Sequence, residues 1–435
     1  MEKVLKNCTV IDTENKRYLT RDIYIDALSV ISKISAPETI NHQNYEIIDC
    51  EGSYVLPGLI NAHSHLFSSG KPMSASFGEG TINFGYRLLK TTIGQSILRK
   101  IMDKHAQIQL QSGTTTIRSV GEFFYQDVKL REIYAKDEKI GPSLLVSGFF
   151  LSITGGHGAP YLALESDSPW EGRKNVRKSI KQGVDWIKIC ATGGVTDARR
   201  IGEAGALQFT EEEITAICEE AHKVGVKVAA HVESTEGVRI SLRGGVDTIE
   251  HGAPMDEEII QLYNHNPKSL RGYTSLIPTF QAGAPFAFLA KEESGLNEIA
   301  YQNGKMVYEH SIESARQAIE NDIAIGMGND ASMKFVTHYD FWRELAHFVD
   351  HANLSTWHAL DIATRQNAKI IGVDHVVGSI EVGKKADIIV LSENPVEDIK
   401  ALTKISKVFK NGKLVQRKKV RKYPELDQLL DKILK

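Results

Sequence analysis

His63 and His65 stand one residue apart at the close of the apolar run YVLPGLINA, residues 54–62. On a β-strand, residues i and i+2 share a face, so this spacing aims both imidazoles at one point and builds half of a metal site. A lone pair of histidines is weak ground for such a reading. Further polar residues close other apolar runs, however: Lys188 in DWIKIC, His231 in VAAHVE, His251 in TIEHG and Asp330 in GMGND. Taken singly, each reads better as a strand-end cap or a member of an ion pair than as a ligand. As an ordered set they outweigh that bland reading, because imidazole and carboxylate are the ligands that zinc and related divalent ions take.

These side chains need a scaffold that gathers strand ends. From about residue 53 to 330, short apolar runs alternate with longer helical patterns, the signature of repeated βα units around a parallel sheet. Eight candidate strands can be counted: YVLPGLINAH, TTTIRSVG, SLLVSGFFLS, DWIKICATGG, VKVAAHVE, DTIEHGAP, SLIPTF and IAIGMGND. Between the fourth and fifth, EEEITAICEEAHKVG carries Ile214, Ile217, Cys218 and Ala221 at helical spacing, and Thr210 with Glu213 forms a capping box at its start. Eight such units predict an α/β fold of the (β/α)8 TIM-barrel type, whose catalytic groups gather at the C-terminal strand ends. An open doubly wound sheet is the alternative.

The two ends of the chain read differently. VLKNCTVID, DIYID, ADIIVLS and SKVFKNGKLV are strand-like, the last broken by the turn pair Asn411-Gly412, and they are expected to pair in one small flanking β-domain. PELDQLLDKILK, with Leu426, Leu429, Leu430 and Ile433 on one face, predicts a terminal helix packed on the body or on a partner. The expected division is residues 1–55 and 370–435 for the flanking β-domain and its helix, and 56–369 for the barrel. The 435-residue chain with 42% hydrophobic residues supports a large core. A net charge of -3 gives no electrostatic case for nucleic acid or an anionic membrane. Four scattered cysteines, Cys8, Cys50, Cys190 and Cys218, suit a reducing cytoplasm, and no stretch has the roughly 18 apolar residues of a membrane span. A small-molecule substrate is the expected partner, and homo-oligomer formation stays open.

HSH on the first strand, lysine on the fourth, histidine on the fifth and sixth and aspartate on the eighth resemble the amidohydrolase superfamily, in its binuclear form. The likeness extends to the flanking strands and to GSIEVGKKADIIVL near the C-terminus. It implies that His63, His65 and Asp330 hold one metal, that His231 and His251 hold the other, and that Lys188 bridges them as a carbamate formed with carbon dioxide. An ammonium group cannot ligate a cation, whereas a carbamate offers two oxygens and a negative charge. Two divalent ions, preferably zinc, would then polarise the scissile carbonyl and supply the attacking hydroxide, with Asp330 as general base and acid.

The glycine-rich TGGHG, residues 154–158, and ATGGV, residues 191–195, resemble loops of prolidase-like and carboxypeptidase-like members, which cleave Xaa-Pro dipeptides or N-acyl amino acids. In that subgroup the loop histidine contacts the scissile carbonyl, which makes His157 the expected oxyanion donor. Arg199, Arg200 and Arg239 are candidates for the substrate carboxylate. Glu233 shares the face of His231 and either pairs with an arginine across the mouth or favours a cationic substrate. Cyclic-amide hydrolases of the imidazolonepropionase-like or hydantoinase-like type are the nearest rivals, though Lys188 and TGGHG argue against them. Deaminases of the superfamily resemble one another in a glutamate three residues after the fifth-strand histidine, where this chain has Ser234. His222, His338, His347, His351 and His358 read as satisfied or solvated imidazoles, with His338 near enough to the eighth strand to line the pocket.

Overall fold

A computed structural model of the protein describes residues 2–37, 45–72 and 78–434. The expected N-terminal segment 1–55 therefore includes eight positions, residue 1 and residues 38–44, outside the described residues. The strands are β1 (Glu2–Asp12), β2 (Arg17–Ile25), β3 (Ile31–Ser35), β4 (Tyr45–Asp49), β5 (Tyr54–Pro57), β6 (Leu59–Ser64), β7 (Thr114–Ser119), β8 (Ser143–Val146), β9 (Phe150–Ser152), β10 (Ala163–Glu165), β11 (Trp186–Cys190), β12 (Lys227–Val232), β13 (Thr248–His251), β14 (Ser275–Ile277), β15 (Ile388–Leu391), β16 (Ile405–Lys410) and β17 (Lys413–Leu414).

Strands from both ends of the chain form one mixed sheet in the order β17-β16-β15-β5-β1-β2-β3, with β4 added along β1. Its junction is the antiparallel pairing of β5 with β15, which sets Leu56 opposite Ile389. The expected strand YVLPGLINAH is in fact two. Tyr54–Pro57 serves the mixed sheet and Leu59–Ser64 the parallel one, and the chain changes sheets at Gly58. A Cβ there would lie 2.2 Å from Thr115 Oγ1, so only glycine lets the strand pass.

The α/β body holds two parallel sheets, β6-β7-β8 and β10-β9-β11-β12-β13-β14, with helices between successive strands except from β8 through β9 to β10. Segment 324–331 lies between their outer edges. Gly326 donates to the Leu276 carbonyl of β14, while Ala62 and His65 donate to the carbonyls of Met327 and Ala331. The expected eighth strand IAIGMGND is thus extended backbone held by isolated bridges, Leu276 to Ile325 and Ser64 to Ala331, rather than a regular strand.

Strand alternation explains the layering. On β11, Ile187 and Ile189 enter the core beneath the helices, while Trp186, Lys188 and Cys190 take the other face. The helix Glu211–His222 begins at the expected capping box of Thr210 and Glu213 and buries Ile214, Ile217, Cys218 and Ala221. The terminal helix Pro424–Asp431 packs on the body through Leu426 and Leu430, and Asp431 meets Arg343 at 2.7 Å. Asn411-Gly412 makes the turn between β16 and β17. All four cysteines are free and buried. Among the described residues no helix is long and apolar enough to cross a membrane.

A buried ion pair anchors the mixed sheet to the α/β body. Lys410 Nζ on β16 lies 2.5 Å from Asp387 Oδ2 and 2.8 Å from Ser143 Oγ on β8. Lys410→Met strands Asp387 without its counter-charge, and a loss of about 3–5 kcal/mol is expected. A fall in the thermal midpoint of that variant, largely restored by adding Asp387→Asn, checks the assignment.

Candidate active site

The residues expected at the strand ends converge on one cavity of about 310 Å³. His63, His65 and Asp330 offer ligand atoms that all lie within 4.8 Å of one another. Asp330 Oδ1 is 3.3 Å from His63 Nε2 and 3.1 Å from His65 Nε2, yet it makes no hydrogen bond of proper geometry with either. Three lone-pair-bearing atoms that face one point without bonding each other suit a cation between them. Lys188, His231 and His251 line the same cavity. The rings of His231 and His251 are 4.5 Å apart, and that of His63 is 5.3 Å from His251. Lys188 Nζ and His231 Nε2 are buried without a hydrogen-bond partner among the described residues.

Three of the four imidazoles are oriented from behind. His63 Nδ1 meets Glu250 Oε2 at 2.6 Å, His65 Nδ1 meets the Gly121 carbonyl at 2.8 Å, and His251 Nδ1 meets Thr279 Oγ1 at 2.7 Å. These contacts direct each Nε2 forward, the arrangement by which outer hydrogen bonds aim metal-binding histidines. Arg118, fully buried, donates to both oxygens of Glu250 at 2.8 and 2.9 Å and lies over the Trp186 ring. Burial alone would raise the Glu250 carboxyl, but Arg118 and then His63 outweigh it and hold the group well below the usual carboxylate range.

Two of the convergent residues sit in strained backbone. His251 has φ of 70° and Asp330 φ of 58°, the left-handed region that residues other than glycine rarely occupy. Neighbours on a strand point to opposite faces, yet Glu250 and His251 both reach this centre. The turn of the backbone at His251 re-aims its ring.

The electrostatics follow from burial. Desolvation drives His231 and His251 well below the ordinary imidazole range, with further depression from His157 and His63 respectively. It also lowers Lys188, favouring the neutral amine. Glu233 is pushed up to about 8, first by burial and then by Asp197 and Asp330.

His157, in the TGGHG loop after β9, lines the cavity and stacks on His231 with centroids 4.4 Å apart. Its Nδ1 is bonded to Asp197, which also accepts from the Gly194 amide. A Cβ on Gly194 would come within 2.9 Å of the His157 ring and 3.2 Å of His231 Nε2, so the stacked pair needs glycine. The expected arginines are elsewhere. Arg239 is bound to Glu236, Asp256 and Glu258, Arg200 is exposed beside Glu203, and neither they nor Arg199 line the cavity. Lys334 lines it instead. His338 is buried against His105 and bonded to Gln109 and the Ser68 carbonyl, outside the lining. Arg118, Asp197, Glu250 and Thr279 were not singled out from sequence. Only Glu250 left a sign there, as a carboxylate inside the apolar run beside His251.

The fold and this cluster define a class, and the chain belongs to the Amidohydrolase family, whose model matches residues 54–415. It is similar to a candidate prolidase from Bifidobacterium longum, at 40% identity over 99% of this chain and 98% of that one, with a TM-score of 0.87. A Xaa-Pro dipeptidase with methionine bound in its active site matches at 27% identity over 96% of this chain and all of its own, with a TM-score of 0.80. The ochratoxinase of Aspergillus niger is 26% identical over 333 residues, 70% of this chain and 66% of its own length.

The Arg118–Glu250 pair supports this centre from beneath. Glu250→Leu leaves a buried guanidinium without its counter-charge and is expected to cost about 3–5 kcal/mol, most of it recovered in Arg118→Met/Glu250→Leu. Chemical denaturation of the four proteins of that cycle measures it.

Proposed function

We propose that the chain is a metal-dependent hydrolase that cleaves the amide bond of a dipeptide or an N-acyl amino acid. The observation that carries this reading is the set of buried, unbonded atoms at one cavity, Lys188 Nζ, His231 Nε2 and Asp330 Oδ1. Beside the oriented His63, His65 and His251, such a set supports reading them together as a ligand shell. The parallel sheets, joined through segment 324–331, read as a closed (β/α)8 barrel over residues 56–369, flanked by the β-domain of segments 1–55 and 370–435. Likeness to a Xaa-Pro dipeptidase, and to a prolidase complexed with N-methylphosphonate-L-proline at 26% identity, supports the amide class.

His63, His65 and Asp330 would hold one divalent ion and His231 and His251 the other. Lys188, whose hold on its proton is weakened by burial, would complete the ligand set as a carbamate formed with carbon dioxide. When bound, two such ions, with zinc the preferred choice, supply Lewis acidity toward the scissile carbonyl and lower the pKa of the attacking water. Asp330 takes the proton from that water and returns it to the leaving nitrogen. Asp197 on Nδ1 fixes the ring of His157, which would act as the donor to the developing oxyanion. Lys334, which donates to the Ser294 carbonyl and has further N–H donors, replaces the arginines as the receiver of the leaving residue's carboxylate.

Chelation is expected to abolish hydrolysis of a Xaa-Pro and N-acyl amino acid panel, and zinc with bicarbonate to restore it. Asp330→Asn should lower kcat by at least about 100-fold. That variant should keep most of its metal by elemental analysis, whereas Lys188→Ala should lose much of it. Full turnover in Asp330→Asn, or metal-free activity, would remove this reading.

A further inference from the structure

Glu233 follows β12, is only 6% exposed and lines the cavity. The Val195 amide supports its carboxylate, but Oε2 has no hydrogen-bond partner among the described residues. The arginine that could have neutralised it is missing from the cavity lining, and the charged neighbours that act on it are the acids Asp197 and Asp330. Its nearest basic atom is His231 Nε2, 3.7 Å from Oε1, and that nitrogen is committed to the reaction centre under the proposed function. Oε2 is thus a buried acceptor, in a residue that lines the cavity, whose partner is left for a ligand to supply.

We propose that Glu233 receives the free α-ammonium group of the substrate, so that this enzyme acts on unblocked dipeptides and not on N-acyl amino acids. The inference rests on the reading of the site as a metal-dependent amide hydrolase and decides between its two substrate classes. The geometry is that of neighbours. An α-ammonium is bonded to the carbon next to the scissile carbonyl, and Glu233 stands beside His231 at the centre where that carbonyl must sit. In an N-acyl amino acid an aliphatic carbon would face Oε2, and that buried acceptor would stay without a partner. A dipeptide is a zwitterion, and the cavity supplies both complements from different strand ends, Glu233 after β12 and Lys334 after segment 324–331. Phe150, Leu162, Phe286, Val307 and Met333 add apolar surface to the lining, which suits an uncharged side chain on the acyl residue.

The test is calorimetric binding to protein loaded with zinc and bicarbonate. The probes are leucine hydroxamate, whose chelating head stands in for the scissile carbonyl, and its des-amino counterpart, 4-methylpentanohydroxamate. A charge-assisted hydrogen bond predicts tighter binding of the amine-bearing probe by about 10- to 100-fold. Glu233→Gln should shrink that ratio to within about threefold by weakening only the amine-bearing probe. Hydrolysis of Ala-Pro against N-propionyl-proline should follow the same order in kcat/KM. Equal binding of both probes by the wild type overturns the inference while leaving the metal-dependent reading intact. Loss of metal from Glu233→Gln also overturns it, because the carboxylate would then be a ligand. Failure of both probes to bind removes the proposed function and the inference together.

Discussion

The carboxylate of Glu250 is the point on which the candidate centre rests. It is held on one side by the Arg118 guanidinium and on the other by His63 Nδ1, all three side chains being nearly inaccessible to solvent. Charges placed so deep are tolerable only as a hydrogen-bonded set, and the set is arranged to leave one imidazole nitrogen facing the cavity. β7 supplies the arginine, β13 the glutamate and β6 the histidine. The interaction therefore ties together strands from distant parts of the chain and sets the height at which the reactive side chains stand. Trp186, beneath the guanidinium, closes the interior below them.

Above that floor the balance of donors and acceptors changes sign. The Arg118–Glu250–His63 set is satisfied, whereas the groups above it leave nitrogen and oxygen atoms unpaired among the described residues. Two residues there sit in left-handed backbone, a cost that the surrounding hydrogen bonds maintain. Asp330 is additionally pinned through its own amide to the carbonyl of His63, so two groups that converge through their side chains are also joined through the main chain. This coupling leaves little freedom for the acid to swing away from the imidazoles.

Much of this was legible from sequence because it depends on period-two alternation and on residue types with few alternative explanations. His63 with His65, Lys188 and His231 follow directly from strand geometry, as does the helix that opens at Thr210. His251 does not, since alternation would turn it away from Glu250, and a positive φ is not readable from one sequence. The arginine expectation failed for a related reason. Arg239 lies on a helix, where it meets three local carboxylates, and nothing in its sequence neighbours separates a salt-bridged arginine from a substrate-binding one. The Asp197–His157 contact joins two loops 40 residues apart, beyond the reach of any local pattern. The break at Gly58 was hidden because both strands flanking it are apolar.

That break has a bearing on how the molecule is assembled during synthesis. β5 leads straight into the strand that carries His63, yet one of its edges is covered only by β15, more than 300 residues later. Until that late segment leaves the ribosome, a buried apolar strand has an open edge, the condition under which nascent chains pair wrongly or aggregate. Closure of the flanking sheet is thus among the last long-range events open to the chain, and it seals the lead-in to the first histidines only once nearly the whole body has been made.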